Sequence, residues 1–597
     1  MNRRLRRRYP ASTVAGRTAT GLSEIKDLMD IILETPINIP RIISLVDIYL
    51  SQFSIPGTFD RVIHSSMLLK IHVCIRGIYR IVSQSPSFRT DSHVHHEVMT
   101  FWPRLAPWCM YIMHYMVVEY ADFVNSVAPD HLDHFANTPT YAVQYMYEMV
   151  SLDEVKRTLA ISFPGLLINL TNAWVVAVEE HVPVCNFLYI AIRKWLQDDD
   201  QSTFGDISRT MNAIPMPRLM ACLVRIISCV QERPVPLPWD VLRNNMVMFF
   251  LLCSENHQFR LNSLLKHSVP WICRLITYIR HYLDKYPEEM QRAAQHFTVS
   301  FAYLAPALEG APEWIIQAVE NRLIVSLAWY SKNGHRLSLP QDLNMLAVRR
   351  LFELLTTNTI WRSVLRPTFR SLRQVDFSFL DDDPGDRNTS FLVEKWRQLR
   401  SAVDVRWNFR CIFRREAYDI CMNTACHMLS PPDRNRRMLR CTGCGSEFCS
   451  TSCQKHSDSH KSFCVRQQER RKEGYPEDPK PREYHFLRCA VQYYYLTEEE
   501  HISAQEERFS QEHGSGTVGV ICLNFTSFPV DISVGFFEAY RNMTCESEAQ
   551  WSAMWEEANE DRGSETSGQL LLTIIPCGRR PLTKLQWIED ASDIAVK

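Results

Sequence analysis

Apolar residues recur with helical period from about residue 22 to about residue 370. Ile42, Leu45, Val46, Tyr49 and Leu50 fall at i, i+3, i+4, i+7 and i+8, and Leu343, Leu346, Ala347, Leu351 and Leu354 repeat the pattern some 300 residues later. Stripes of this kind must be buried against other elements. Between them stand short breakers, Pro56-Gly57, Pro164-Gly165, Pro234-Val235-Pro236 and Gly310-Ala311-Pro312, each of which ends one helix and starts the next. Roughly a dozen helices are expected. Strand-type alternation is scarce and there are only 19 glycines in 597 residues. A mainly α fold follows, in which residues 22 to 375 form a long helical scaffold, stacked in armadillo-like or HEAT-like pairs. No exact repeat marks the stack, so an irregular helical domain fits the same pattern.

The pattern changes after residue 375. An acidic linker, 376 to 389, contains Asp381-Asp382-Asp383-Pro384-Gly385-Asp386 and is followed by a helix in 390 to 420 around Trp396, Leu399 and Val403. A segment dense in cysteine and histidine occupies 421 to 464, and a charged linker 465 to 482. Residues 483 to 597 read as a small α+β domain. Within it 483 to 513 are helical, 518 to 525 and 569 to 575 are strand-like in composition, and a helix at 547 to 558 carries Trp551 and Trp555.

Composition narrows the function classes. Hydrophobic residues make up 46% and charged residues 22%, the balance of a globular chain, and a net charge of −1 supplies no global field for nucleic acid or an anionic membrane. No apolar run reaches the length of a membrane span. The Arg-rich start, residues 1 to 21, reads as a disordered basic tail; it lacks the apolar stretch of a secretory signal, although the absence of acids before Glu24 also fits a mitochondrial presequence. Of 19 cysteines, 12 are scattered singly, with Cys74, Cys222, Cys229 and Cys273 reading as small buried hydrophobes. A chain this long needs no disulfide staples. The expected setting is therefore reducing, cytoplasmic or nuclear, in which the sequons at Asn169, Asn388, Asn524 and Asn542 are silent.

The remaining seven cysteines fall in 421 to 464 with one histidine in register: Cys421-x4-Cys426, Cys441-x2-Cys444-x4-Cys449-x3-Cys453 and His460-x3-Cys464. Thiolate and imidazole are the ligands zinc prefers, and four close a tetrahedral structural site, so eight such residues predict two Zn²⁺ ions. Spacing alone allows sequential or interleaved sites, and His427 and His456 lie near enough to replace a neighbour. Arg434, Arg436, Arg437 and Arg440, with Arg470, Arg471 and Lys472, add a local basic patch. A solvated loop and linker balanced by Glu469 and Glu473 accounts for it, and phosphate contact is the alternative.

The segment Arg440-Cys441-Thr442-Gly443-Cys444, Phe448-Cys449-Ser450, Cys453-Gln454-Lys455 and His460-Lys461-Ser462-Phe463-Cys464 resembles the MYND zinc-finger family. The resemblance implies interleaved sites: Cys421, Cys426, Cys449 and Cys453 on one ion, Cys441, Cys444, His460 and Cys464 on the other. It also implies a module that recognises short partner peptides, often proline-containing. The chain departs from the family pattern in its four-residue first gap, in a Cys453 to His460 gap one residue short, and in lacking the usual tryptophan before the histidine. Phe486-Leu487-Arg488, Leu523-Asn524-Phe525-Thr526 and the stretch 570 to 587 look like the tail that follows this finger in fungal members.

Catalytic signals are weak. Gly514-Ser515-Gly516-Thr517-Val518-Gly519 has the glycine spacing of nucleotide loops, but a polar helix precedes it and a strand follows, the reverse of a dinucleotide site, so a flexible turn is expected. His93, His95, His96 and Glu97, and the pair His131 and His134, lack the arrangement of a metalloenzyme and read as solvated helix starts. SET-type lysine methyltransferases carry the MYND finger inside a β-rich domain with an Asn-His pair and Gly-rich strands; the flanks of this finger have neither. The expected protein is not an enzyme. It is a zinc-binding interaction scaffold, with a transcriptional regulator contacting nucleic acid or corepressors as the alternative.

Overall fold

A computed structural model describes residues 30, 37–55, 65–113, 138–150, 166–179, 188, 239–255, 257–337, 341–380, 387–416, 423, 439–444, 446–473, 481–514, 517, 519–543, 551–552, 556, 569–578 and 581–588. The protein is mainly helical with a small four-stranded sheet near its C-terminus. It divides into two compact units, Met1–Phe259 and Arg260–Lys597, so the division falls inside the stretch read as one scaffold.

The first unit contains α1 (Ile39–Gln52), α2 (Ser65–Gln84), α3 (Ser87–Thr90), α4 (Ser92–Met113), α5 (Thr138–Val150), α6 (Leu166–Glu179) and α7 (Trp239–Glu255). Asn38 caps α1, its side chain accepting from the Arg41 N–H at 3.3 Å, which satisfies one of the free donors at a helix start. The expected stripe of α1 is buried at Ile42, Val46, Tyr49 and Leu50 against α2 and α4. Arg104 on α4 bonds Asp47 on α1 at 3.0 Å, and Trp174 on α6 donates to Asn245 on α7 at 2.8 Å. Cys74 is buried as expected, and burial pushes its thiol up to about 12. Cys222 and Cys229 lie outside the described residues, as do the breakers at 56–57, 164–165 and 234–236.

Helix α8 (His257–Leu265) contains the division, and the second unit continues with α9 (Ser268–Lys285), α10 (Met290–Leu308), α11 (Pro312–Glu320), α12 (Leu323–Asn333), α13 (Gln341–Asn358), α14 (Arg362–Leu372) and α15 (Arg387–Glu416). The break at Gly310-Ala311-Pro312 separates α10 from α11 as expected. Helices three apart meet: α9 packs on α12, α10 on α13 and α11 on α14. The stripe expected on α13 is buried at Leu351 and Leu354 and is corrected at Leu346. Leu346 is 66% exposed, and the buried positions are Val348, Leu351, Phe352, Leu354 and Leu355. Within the stretch expected as an acidic linker, Phe377 and Phe379 pack on Trp396 of α15 with ring centroids 5.6 and 6.2 Å away, and residues 381–386 lie outside the described residues.

Arg406 on α15 is 1% exposed. Its Nη1 donates to the carbonyls of Thr356 and Thr357 and to Thr359 Oγ1, at 2.6, 3.2 and 2.6 Å. A cation placed on the last carbonyls of α13 meets the negative end of the helix dipole. At the opposite helix pole, Glu483 reaches the start of α14 and accepts from Ser363 N–H at 3.1 Å and Ser363 Oγ at 3.2 Å.

The C-terminal sheet has the order β4-β3-β5-β6, with β3 (Gly519–Asn524), β4 (Asp531–Phe536), β5 (Gln569–Ile575) and β6 (Leu582–Ile588). The central pair β3 and β5 is parallel, in register Val520↔Leu570 to Asn524↔Ile574, and each edge strand is antiparallel to its neighbour. One face of the sheet packs on Phe537 and Trp551 through Val520, Cys522, Leu570, Leu572 and Leu585. The other meets α18 (Pro481–Thr497) and α19 (Glu499–His513), where Tyr495 bonds Gln569 and Phe509 meets Phe536 at 5.2 Å. Gly514 ends α19 at φ +88°, a conformation open to glycine, and the polar helix precedes β3 as expected, with Ser515, Gly516 and Val518 outside the described residues.

Candidate metal centre

A two-residue hairpin starts the centre. β1 (Leu439–Arg440) pairs with β2 (Glu447–Phe448), and the Cys441 N–H closes the loop on the Ser446 carbonyl at 2.8 Å. This folds Cys441 and Cys444 onto one side of a tight knuckle. Gly443 is required there: a Cβ at that position would sit 2.7 Å from Cys464 Sγ and 2.4 Å from Gln468 Nε2. Ser450 then caps the short helix α16 (Thr451–Lys455), its hydroxyl accepting from Cys453 N–H at 3.1 Å. Helix α17 (Asp458–Glu473) carries His460 and Cys464 four residues apart, hence on one face. The expected linker at 465 to 482 is corrected by this helix, which continues to Glu473.

Knuckle and helix bring Cys441, Cys444, His460 and Cys464 together, with one ligand atom from each within 4.8 Å of the others. Cys441, Cys444 and His460 are buried, and Cys464 is half-buried. Cys441 Sγ and Cys464 Sγ are 3.8 Å apart. Two thiolates bound at ~2.3 Å on a tetrahedral zinc ion would be separated by about 3.8 Å. His460 Nδ1 lies 3.3 Å from the Gln454 carbonyl, which accepts its proton, and Nε2 is buried without a hydrogen-bond partner. That arrangement fixes the tautomer and leaves the Nε2 lone pair for a cation. Phe448 stands edge-on to the imidazole at 4.6 Å.

Electrostatics separate the thiols. Burial raises the Cys441 thiol, but the N–H groups of Cys444 and Gly443, together with the nearby side chains of His460 and Cys444, outweigh it and hold that thiol down at about 6. Burial, the bond to Cys441 and the charges of Cys444 and Cys441 push Cys464 up to about 11. Crowded thiols of this kind resist shared ionisation until a cation offsets the repulsion, and the donor set fits a borderline-soft divalent ion such as Zn²⁺.

The other predicted ligands are placed differently. Cys449 and Cys453 sit 3.3 Å apart, sulfur to sulfur, outside the group of four. Cys421, Cys426 and His427 lie outside the described residues, as do Arg434, Arg436 and Arg437. His456 turns back on its own helix, with Nδ1 2.9 Å from the Ser452 carbonyl. Among the described residues no second group of this type occurs: His93 is exposed and pairs with Glu97 at 3.9 Å, and His95 stacks on Phe88 at 5.0 Å. His131 and His134 are outside the described set. Sequence reading missed Ser446, the Gln454 carbonyl and Gln468, which touch the ligands. Ser450 carried a signal, a serine opening a helix.

Among the described residues no helix is long and apolar enough to cross a membrane. In comparison with known proteins, no protein-family model matches the chain, and no curated protein matches it.

Proposed function

We propose that this chain is a zinc-binding interaction scaffold of the cytoplasm or nucleus, built on a MYND-type finger, and that it has no catalytic activity of its own. The convergence of Cys441, Cys444, His460 and Cys464 carries the reading. In the proposed finger these four hold one ion, and Cys449 and Cys453 join Cys421 and Cys426 on a second. The helical units offer surface to protein partners. The packing of α9 on α12, α10 on α13 and α11 on α14 supports an armadillo-like array, in which three helices form a repeat. The finger contributes a rigid site for short proline-containing peptides.

Metal analysis and peptide binding test this with the full-length chain and a Cys441→Ser, Cys444→Ser version. The wild type should carry about two zinc equivalents, four ligands serving each ion. It should bind members of a panel of proline-containing peptides, and the variant should lose one equivalent and the binding together. Equal binding by both would sink the peptide reading, and a fully ordered, metal-free wild type would sink the zinc reading.

A further inference from the structure

Two of the three clustered thiols have a side-chain hydrogen-bonding group of their own. Ser446 is 2% exposed, and its Oγ lies 3.2 Å from Cys444 Sγ. Gln468, one turn beyond Cys464 on α17, donates Nε2–H to Cys464 Sγ at 3.4 Å. The amide occupies the space a side chain at 443 would need, so the knuckle glycine and the glutamine form one device.

Three thiolates and a neutral imidazole around a divalent cation leave one surplus negative charge, held on sulfur. A hydrogen-bond donor aimed at such a sulfur withdraws electron density, stabilises the charge and makes the sulfur a poorer nucleophile. With metal bound, the Ser446 hydroxyl turns donor toward Cys444, because a thiolate has no proton to give. We infer that Ser446 and Gln468 are positioning residues of the metal centre, each guarding one thiolate, Ser446 at Cys444 and Gln468 at Cys464, against electrophiles and against loss of the ion. This rests on the metal reading above.

Zinc-loaded full-length protein treated with limiting iodoacetamide tests it, with alkylation of each cysteine read by peptide mass spectrometry. The sulfur attacks the methylene carbon, an S–C bond forms and iodide leaves, so the rate reports nucleophilicity at each position. Ser446→Ala should raise the rate at Cys444 roughly 10-fold and leave Cys464 unchanged. Gln468→Ala should do the reverse, by about 3-fold because the glutamine is exposed. In cobalt-loaded protein, both variants should shift the sulfur-to-metal band to lower energy. Rates that stay at wild-type values in both variants, or rise equally at Cys444 and Cys464, overturn the inference. Should Ser446→Ala unfold the finger, raising every cysteine in it, the exposed Gln468 decides alone. Zinc that protects none of Cys441, Cys444 and Cys464 in the wild type would instead remove the metal reading itself.

Discussion

If the proposed zinc reading holds, stripping metal from full-length protein should unfold the finger segment, 439–473, while the C-terminal sheet stays folded. The finger holds few apolar side chains: Phe448 is fully buried beside the thiols, and Phe463 packs there in part. Burying two such side chains contributes ~3–6 kcal/mol at most. Ordering the 16 residues of α17 alone costs on the order of 16–32 kcal/mol of backbone entropy before its own hydrogen bonds are counted. A helix of that length is marginal in water, and this one leaves Val465 56% exposed. On the zinc reading proposed above, a structural ion would contribute about 10–16 kcal/mol and would be the term that tips the balance. The sheet core of Val520, Cys522, Phe537, Leu570 and Leu572 includes no finger residue. Hydrogen exchange with and without chelator, metal content measured in parallel, should show protection in 458–473 falling by roughly 1,000-fold or more. Amides of β3 and β5 should keep theirs. Unchanged protection of α17 in protein shown to be metal-free would refute the reasoning.

Trp396→Ala removes a fully buried side chain that packs on Phe352 at 4.9 Å and donates to Ser331 Oγ at 2.9 Å; it should cost about 3–5 kcal/mol in urea unfolding of the second unit, and a loss under about 1 kcal/mol would contradict the packing described. Burial pushes the Glu483 carboxyl up against the pull of Ser363 N–H and Arg362. A raised folded value means its contribution is fully present below the unfolded value and is lost as pH rises through the folded one. Glu483→Gln should therefore gain on wild type as pH rises from the ordinary carboxylate range, by no more than about 1.4 kcal/mol per pH unit, and a difference in thermal midpoint that ignores pH would reject this. Gly443→Ala drives a methyl group to 2.7 Å from Cys464 Sγ, so zinc affinity measured by chelator competition should fall roughly 10-fold or more; wild-type affinity would show that the knuckle yields freely.

What could be read in the sequence follows burial. β3 and β5 are covered on both faces, so their strand runs are nearly all apolar, Val520 to Leu523 and Leu570 to Leu572, and both were legible. β4 and β6 are edge strands, interrupted by Gly535 and by Lys584 and Gln586, and gave no clear alternation. On α13 apolar residues occupy several faces, so periodicity established the helix but chose Leu346 for a core position that Val348 and Phe352 fill. Cys441, Cys444, His460 and Cys464, the four that converge, were legible because metal binding demands short, fixed spacings. Ser446 and Gln468 were not, since a hydrogen bond to sulfur imposes no pattern on the chain. Nor does anything near Arg406 announce its burial; its acceptors lie some 50 residues earlier.

The parallel pairing of β3 with β5 sets an order of assembly. Each hairpin closes within a few residues of its turn, β3 with β4 and β5 with β6, and such local closures take microseconds. The seam between them must wait for distant segments to meet, and until then Val520 to Leu523 present a bare, sticky edge. A nascent or truncated chain ending before Gln569 should therefore self-associate through that edge. Pulse-labelled exchange should find β4 amides protected before those of the seam, and simultaneous protection of all four strands would contradict this order.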